Sequence, residues 1–177
     1  MPNPEQTAQL HYVACLDLTG RTCLVVGSGA MAGEKVEGLR TTGAIVTLVT
    51  PQDYRSADLE GVWLVVVATS DDELNRRISA EAEERNLFCN VADVPELCSF
   101  ILPAVHRRGP IVVAVSTGGA SPALAQLLRD RFASQLGAEH ESLARELRRL
   151  RPWAKKNLST YGERREYFRK LVTQALG

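Results

Sequence analysis

No apolar run in the sequence approaches the roughly 20 residues needed to cross a bilayer. Its start, Met1 to Gln9, has neither the basic nor the apolar region of a signal peptide. The expectation is a cytoplasmic protein with no membrane association. Cysteine is sparse, and Cys15, Cys23, Cys89 and Cys98 form neither a CxxC pair nor a His/Cys zinc pattern. Two of them lie in or beside apolar runs, which favours buried, reduced thiols, so no structural metal is expected. Excess charge is also missing: 21 basic and 21 acidic side chains cancel, and the overall balance calls for no nucleic acid.

What is present suffices for a core. A chain of 177 residues with 45% hydrophobic content can bury one substantial interior and carry a smaller appendage. Charge is unevenly spread, since residues 139–177 hold 10 basic and 5 acidic side chains. A cationic tail reads either as a solvated amphipathic helix or as an attractor of anionic ligands, and charge alone favours the first.

Residues 22–26 form an apolar run that stops at Gly27-Ser28-Gly29, and a helical pattern begins near Ala30 with Val36 and Leu39 on one face. Gly43 ends that helix and residues 44–49 supply a second strand, closing one βαβ unit. Residues 63–69 read as a buried parallel strand. Ser70 and Glu73 then form a capping box opening a helix to about Arg85. Strands follow at 87–91 and, more briefly, at 99–102 before Pro103. This alternation predicts a doubly wound, Rossmann-like α/β sheet.

The pattern changes after Arg107-Arg108-Gly109-Pro110. Residues 111–115 read as a strand, Ser116-Thr117-Gly118-Gly119 as a loop, and Ser121 as the cap of a helix with Pro122 at its first position. From Glu139 the chain is charged and helical, with Leu143, Leu147 and Leu150 on one stripe. A break is expected at Pro152 and a last helix from about Gly162.

Several residues can carry chemistry. Gly27 to Ala32 spells GxGxxA between strand and helix, where glycines let backbone amides approach a pyrophosphate. No carboxylate closes the second strand to hold an adenosine ribose, because Asp53 comes a few residues late. No arginine stands there for a 2′-phosphate, and NAD is the expected cofactor. Asp93 follows the 87–91 run, at a strand's carboxyl end, where a carboxylate can take a proton or cap backbone amides. The 116–122 loop can present amides and a helix N-terminus to carboxylates, or be a plain connection. His106, Arg107 and Arg108 read as a solvated basic cluster.

Taken in order, Asp17 to Arg21, the Gly27 to Ala32 turn with Glu34-Lys35, Ala68 to Asp72, Cys89 to Asp93, Ser116 to Pro122, Ala154 to Lys156 and Tyr161 to Arg165 resemble the precorrin-2 dehydrogenase family. This is the dehydrogenase, in some members also ferrochelatase, module of sirohaem synthase. The resemblance runs from about Tyr12 onward. With no methyltransferase region after it, a stand-alone form is expected.

The resemblance implies NAD-dependent oxidation of precorrin-2 to sirohydrochlorin, with Asp93 essential. Cofactor contacts would lie at Gly27, Gly29, Ala30 and Met31, at Thr50, Pro51 and Gln52, and at Thr69. Substrate contacts would lie at Ser116, Thr117, Gly118 and Gly119. It also implies a homodimer and three regions: an NAD-binding domain over 1–108, a small α+β dimerisation segment over 109–138, and a helical tail over 139–177. One departure stands out. Relatives insert a helix and strand after the second strand, whereas residues 51–58 are too few for such a crossover. A sheet shortened at its edge is therefore expected.

Overall fold

The structure is a computed structural model and describes residues 11–177. The polar start at Met1 to Gln9 lies outside the described residues. The chain divides into two compact units, one up to Leu102 and one over Pro103–Gly177.

The first unit alternates strand and helix: β1 (Thr22–Gly27), α1 (Gly29–Arg40), β2 (Ile45–Val49), β3 (Leu64–Ala68), α2 (Asp72–Glu84) and β4 (Phe88–Val91). All pairings are parallel, in the order β2-β1-β3-β4. Each face of this sheet carries its own core. Leu24, Val26, Val65, Val67 and Val91 pack with Leu74, Ile78 and Ala82 of α2, while Cys23, Val25, Leu64 and Val66 pack with Ala32 and Val36 of α1. Alternate strand residues feed opposite faces, so the continuous apolar run of β3 is explained by helices on both sides.

The expected shortening is present. After β2 the chain makes a turn and a short 3₁₀ segment (Ser56–Leu59), and Tyr54 and Leu59 are buried in the α2-side core. The lost strand would lie outside β2, so β1 and β3 keep their central places. The order reverses between them: β1 leads through α1 to β2 on one side, and β3 leads through α2 to β4 on the other. Ligands of open α/β sheets bind in the crevice at such a reversal.

Two local expectations for this unit are corrected. Asp71, not Ser70, caps α2, its Oδ1 accepting the Leu74 N–H at 3.0 Å. Asp71 is set for this by its own N–H, which donates to Thr69 Oγ1 at 3.0 Å. Residues 99–102 form no strand. Ser99 N–H donates to Cys89 O at 2.9 Å and its hydroxyl accepts the Cys89 N–H at 2.8 Å, while Asn90 Nδ2 donates to Phe100 O at 3.0 Å. One backbone bond and two side-chain bonds thus stand in place of a ladder along the outer edge of β4.

In the second unit, β5 (Ala104–Arg108) and β6 (Ile111–Val115) form an antiparallel hairpin closed by Gly109-Pro110, and α3 (Pro122–Ala133) packs on both strands. The sequence reading missed β5. His106 and Arg108 are half-buried on it rather than solvated, and Arg108 Nε lies 3.9 Å from Glu141 Oε2. The hairpin also puts residues 103–108 with β6, in the second unit.

α4 (Ala138–Asn157) and α5 (Tyr161–Leu176) pack together, with Trp153 against Tyr167 at 5.4 Å between ring centroids. The expected break at Pro152 does not occur. Pro152 and Arg148 are both exposed, so the carbonyl left without an N–H partner lies on the wet side of the helix.

Candidate functional site

Parallel register brings the expected cofactor residues to one edge of the sheet. Val26 pairs with Val49 and with Val67, Gly27 with Ala68, and Val67 with Val91. The Gly27 turn, Thr50, Thr69 and Asp93 therefore follow the carboxyl ends of four neighbouring strands. Ser116, Thr117, Gly118 and Gly119 belong to the second unit and follow β6.

The two turn glycines do different work. A Cβ on Gly27 would stand 2.5 Å from Ala68 O and 3.1 Å from Ala32 Cβ, so this position serves close packing of β1 on β3 and α1. Gly29 has φ +70, which L side chains rarely adopt, and a Cβ there would meet nothing within 4 Å. The backbone at Gly29 is thus open to an approaching group. Ala30 and Met31 lie in the first turn of α1 and are exposed. Ser28 precedes that helix without a side-chain cap bond, whereas Asp71, Ser121 and Thr160 each cap their own helices. A pyrophosphate fits this turn: an open glycine and uncapped amides at a helix's positive end.

Thr69 follows β3 and joins a network the sequence reading did not anticipate. Its hydroxyl donates to Asn75 Oδ1 at 2.8 Å, and Asn75 Nδ2 donates back to Thr69 O at 3.3 Å. Asn75 is 1% exposed. The available signal was a polar residue between Leu74 and Ile78, on the face of α2 that packs into the core.

Thr50 begins the turn after β2. Its hydroxyl donates to Asp53 Oδ2 at 2.6 Å, and its carbonyl accepts the N–H groups of Asp53 and Tyr54 at 3.1 and 3.2 Å. Pro51 is half-buried and Gln52 is exposed. Arg55, absent from the sequence reading of this turn, donates through Nη1 to Gln52 O at 3.2 Å.

Asp93 is exposed and has φ +62. Few residues other than glycine hold that conformation, Asp and Asn among them. Among the described residues its carboxylate has no hydrogen-bond partner, so it caps no backbone amide there. In the 116–122 loop the hydroxyls hold the loop itself. Thr117 Oγ1 accepts the Ser121 N–H at 3.0 Å and donates to Ser121 O at 3.1 Å, and Ser116 Oγ accepts the Gly118 N–H at 3.2 Å. Gly118 and Gly119 have φ values of +61 and +86. Among the described residues no group of three His, Cys, Asp or Glu side chains is gathered as a metal site, and no helix is long and apolar enough to cross a membrane.

Fold and strand-end geometry together define a dinucleotide-binding α/β domain joined to a second α+β unit. The chain belongs to the family described as "Putative NAD(P)-binding", matched over residues 14–104, and residues 108–135 match "Sirohaem biosynthesis protein central". The family read from the motifs is borne out, and the cofactor class is a nicotinamide dinucleotide.

Among similar proteins, a siroheme synthase of Methylobacillus flagellatus is 38% identical over 181 residues, covering 92% of this chain and 39% of that protein. One from Escherichia coli O1:K1 / APEC is 39% identical over 180 residues, covering 91% and 39%. The chain thus spans about two fifths of the length of these relatives. A solved structure titled "SirC, precorrin-2 dehydrogenase" shares the fold, with a TM-score of 0.71 and 24% identity over 93% of this chain and 98% of that one.

Proposed function

We propose that the chain is a precorrin-2 dehydrogenase, using NAD to make sirohydrochlorin for sirohaem biosynthesis in the cytoplasm. The observation that carries this reading is the row of strand ends. An open glycine turn after β1, a fixed Thr69 after β3 and an unpartnered Asp93 carboxylate after β4 stand side by side at the sheet reversal.

NAD, when bound, accepts a hydride. When bound, NAD would be held at its pyrophosphate by the backbone at Gly27, Gly29, Ala30 and Met31, and Thr50, Pro51 and Gln52 would serve its adenosine half. Thr69, locked by Asn75, shapes the wall beside it. Removing a hydride from the reduced macrocycle must be matched by loss of one proton, which Asp93 takes and passes to water. Ser116, Thr117, Gly118 and Gly119 offer backbone amides to the carboxylates of the substrate, and the cationic 139–177 region favours a polyanion.

The NAD-binding role belongs to the sheet region and dimer formation to the segment after it. Among the described residues, the hydrophobic side chains buried in the second unit are Ala125 and Ala154, while Val105, Val112, Leu124, Leu127 and Phe132 are exposed. A second copy covering that surface makes the protein a homodimer.

A second reading adds ferrous iron insertion into the product. A carboxylate free of protein partners can pass on a metal ion as well as a proton, and the iron is then a substrate. A cofactor-binding module without catalysis is less well supported, since the shortened edge leaves the β1/β3 reversal intact. An anaerobic assay of precorrin-2 with NAD or NADP, followed by ferrous iron or cobalt, separates the three. Formation of sirohydrochlorin supports the dehydrogenase; no turnover with either cofactor leaves only the binding module.

A further inference from the structure

We infer that Cys98 is a positioning residue for Asp93, its thiol holding the turn that aims the carboxylate; this rests on the reading of Asp93 as the proton acceptor. That carboxylate has no hydrogen-bond partner among the described residues, so its direction is set by the backbone alone. Asp93 stands at φ +62, third in the turn formed by residues 91–94. The closing bond of this turn is long, from Val94 N–H to Val91 O at 3.3 Å. Ala92 N–H donates to Val67 O at 2.9 Å, which ties the second residue of the turn to β3.

Beyond the turn the chain comes back on itself. A 3₁₀ segment, Pro95–Leu97, returns it towards β4, and Leu97 O accepts the Ser79 hydroxyl of α2 at 2.9 Å. Cys98 follows, half-buried against the α2-side core. Its sulfur accepts the Val91 N–H at 3.2 Å and faces Asn90 Nδ2 at 3.6 Å. Its hydrogen has two carbonyls in reach, Val91 O at 3.2 Å and Val94 O at 3.3 Å. One side chain therefore touches the first and the last residue of the turn that carries Asp93. Burial raises this thiol above its ordinary value, so at neutral pH it keeps the hydrogen it donates. Without the sulfur the Val91 N–H loses its partner, and the turn closes on its 3.3 Å bond alone.

The test measures kcat, KM for precorrin-2, NAD affinity and thermal unfolding for wild type, Cys98→Val, Cys98→Ser, Asp93→Asn and the double variant Asp93→Asn/Cys98→Val. Valine fills the space of the thiol and makes none of its hydrogen bonds. Folded Cys98→Val is expected to lose about tenfold in kcat, within the scale of a misaimed reacting group, with KM and NAD affinity near those of wild type. Serine donates and accepts as the thiol does, and Cys98→Ser should stay within about threefold of wild-type turnover. In the Asp93→Asn background Cys98→Val should cost no further turnover, because the group it positions is already gone. A role in folding alone would slow both backgrounds alike. The inference is overturned if folded Cys98→Val turns over like wild type, if Cys98→Ser falls as far as Cys98→Val, or if Cys98→Val slows Asp93→Asn by the factor seen in wild type. Cys98→Ala is read in the same way where Cys98→Val does not fold. Unimpaired turnover by Asp93→Asn itself would instead remove Asp93 as the acceptor, and this inference with it.

Discussion

Gly27 and Ala68 approach so closely that a Cβ on Gly27 would lie 2.5 Å from the Ala68 carbonyl oxygen. This approach ties the ends of β1 and β3 together at the point where the sheet order reverses. Gly27→Ala should therefore cost about 1–3 kcal/mol of stability, as overpacking against backbone does. Gly29 differs. Gly29→Val adopts a strained φ at a cost of about 1–2 kcal/mol and also fills the open space above the turn. Thermal unfolding and NAD titration separate the two: the first variant loses mainly stability, while the second, though folded, should lose NAD affinity at least about tenfold. Wild-type affinity in folded Gly29→Val would misplace the pyrophosphate.

Asn75 is the buried partner of Thr69. Asn75→Ala leaves the Thr69 hydroxyl and carbonyl without that partner, at an expected cost of about 1–3 kcal/mol. Denaturant unfolding measures it, and a cost below about 0.5 kcal/mol would show that water replaces the amide freely.

Burial pushes the Cys89 thiol up to about 12, and the Cys23 and Cys98 thiols also lie above their ordinary value because they are desolvated. A thiol-specific reagent at neutral pH should label exposed Cys15 in the folded protein and reach Cys23 and Cys89 only on unfolding. The linkage has a definite sign. Between the ordinary thiol range and about 12 the unfolded chain has released protons that the folded chain retains, so stability falls as pH rises through that window. Stability that rises from pH 9 to pH 11 would contradict these assignments.

The exposed apolar residues of the hairpin and α3 predict a dimer in light scattering across the micromolar range. Leu127→Arg should shift the population to monomer without unfolding the sheet unit. A wild-type protein that stays monomeric at all concentrations would refute the dimer.

The parallel sheet was legible because β1, β3 and β4 are short apolar runs bounded by glycine and capping residues, and helices on both faces demand such runs. The places of the glycine turn and Asp93 at strand ends were legible because each follows an apolar run closed by a turn. Three features escaped for physical reasons. β5 carries His106, Arg107 and Arg108, whose charge hides a strand that α3 half covers. Pro152 lies on a solvent-facing side of α4 that tolerates a missing hydrogen bond. The return of Asp53 to Thr50 depends on a turn whose geometry no spacing rule encodes.

The most direct test of the account compares wild type with Asp93→Asn in single-turnover oxidation of precorrin-2 by NAD, with NAD affinity and thermal stability measured on the same preparations. Asn keeps the size of the side chain and removes its basicity, and Asp93 makes no protein hydrogen bond that this change would break among the described residues. The account predicts a fall in the oxidation rate of about 100-fold or more, the scale of a lost proton acceptor. NAD affinity and unfolding temperature should stay near those of wild type. Oxidation by Asp93→Asn at close to the wild-type rate would contradict the central claim that this carboxylate handles the proton.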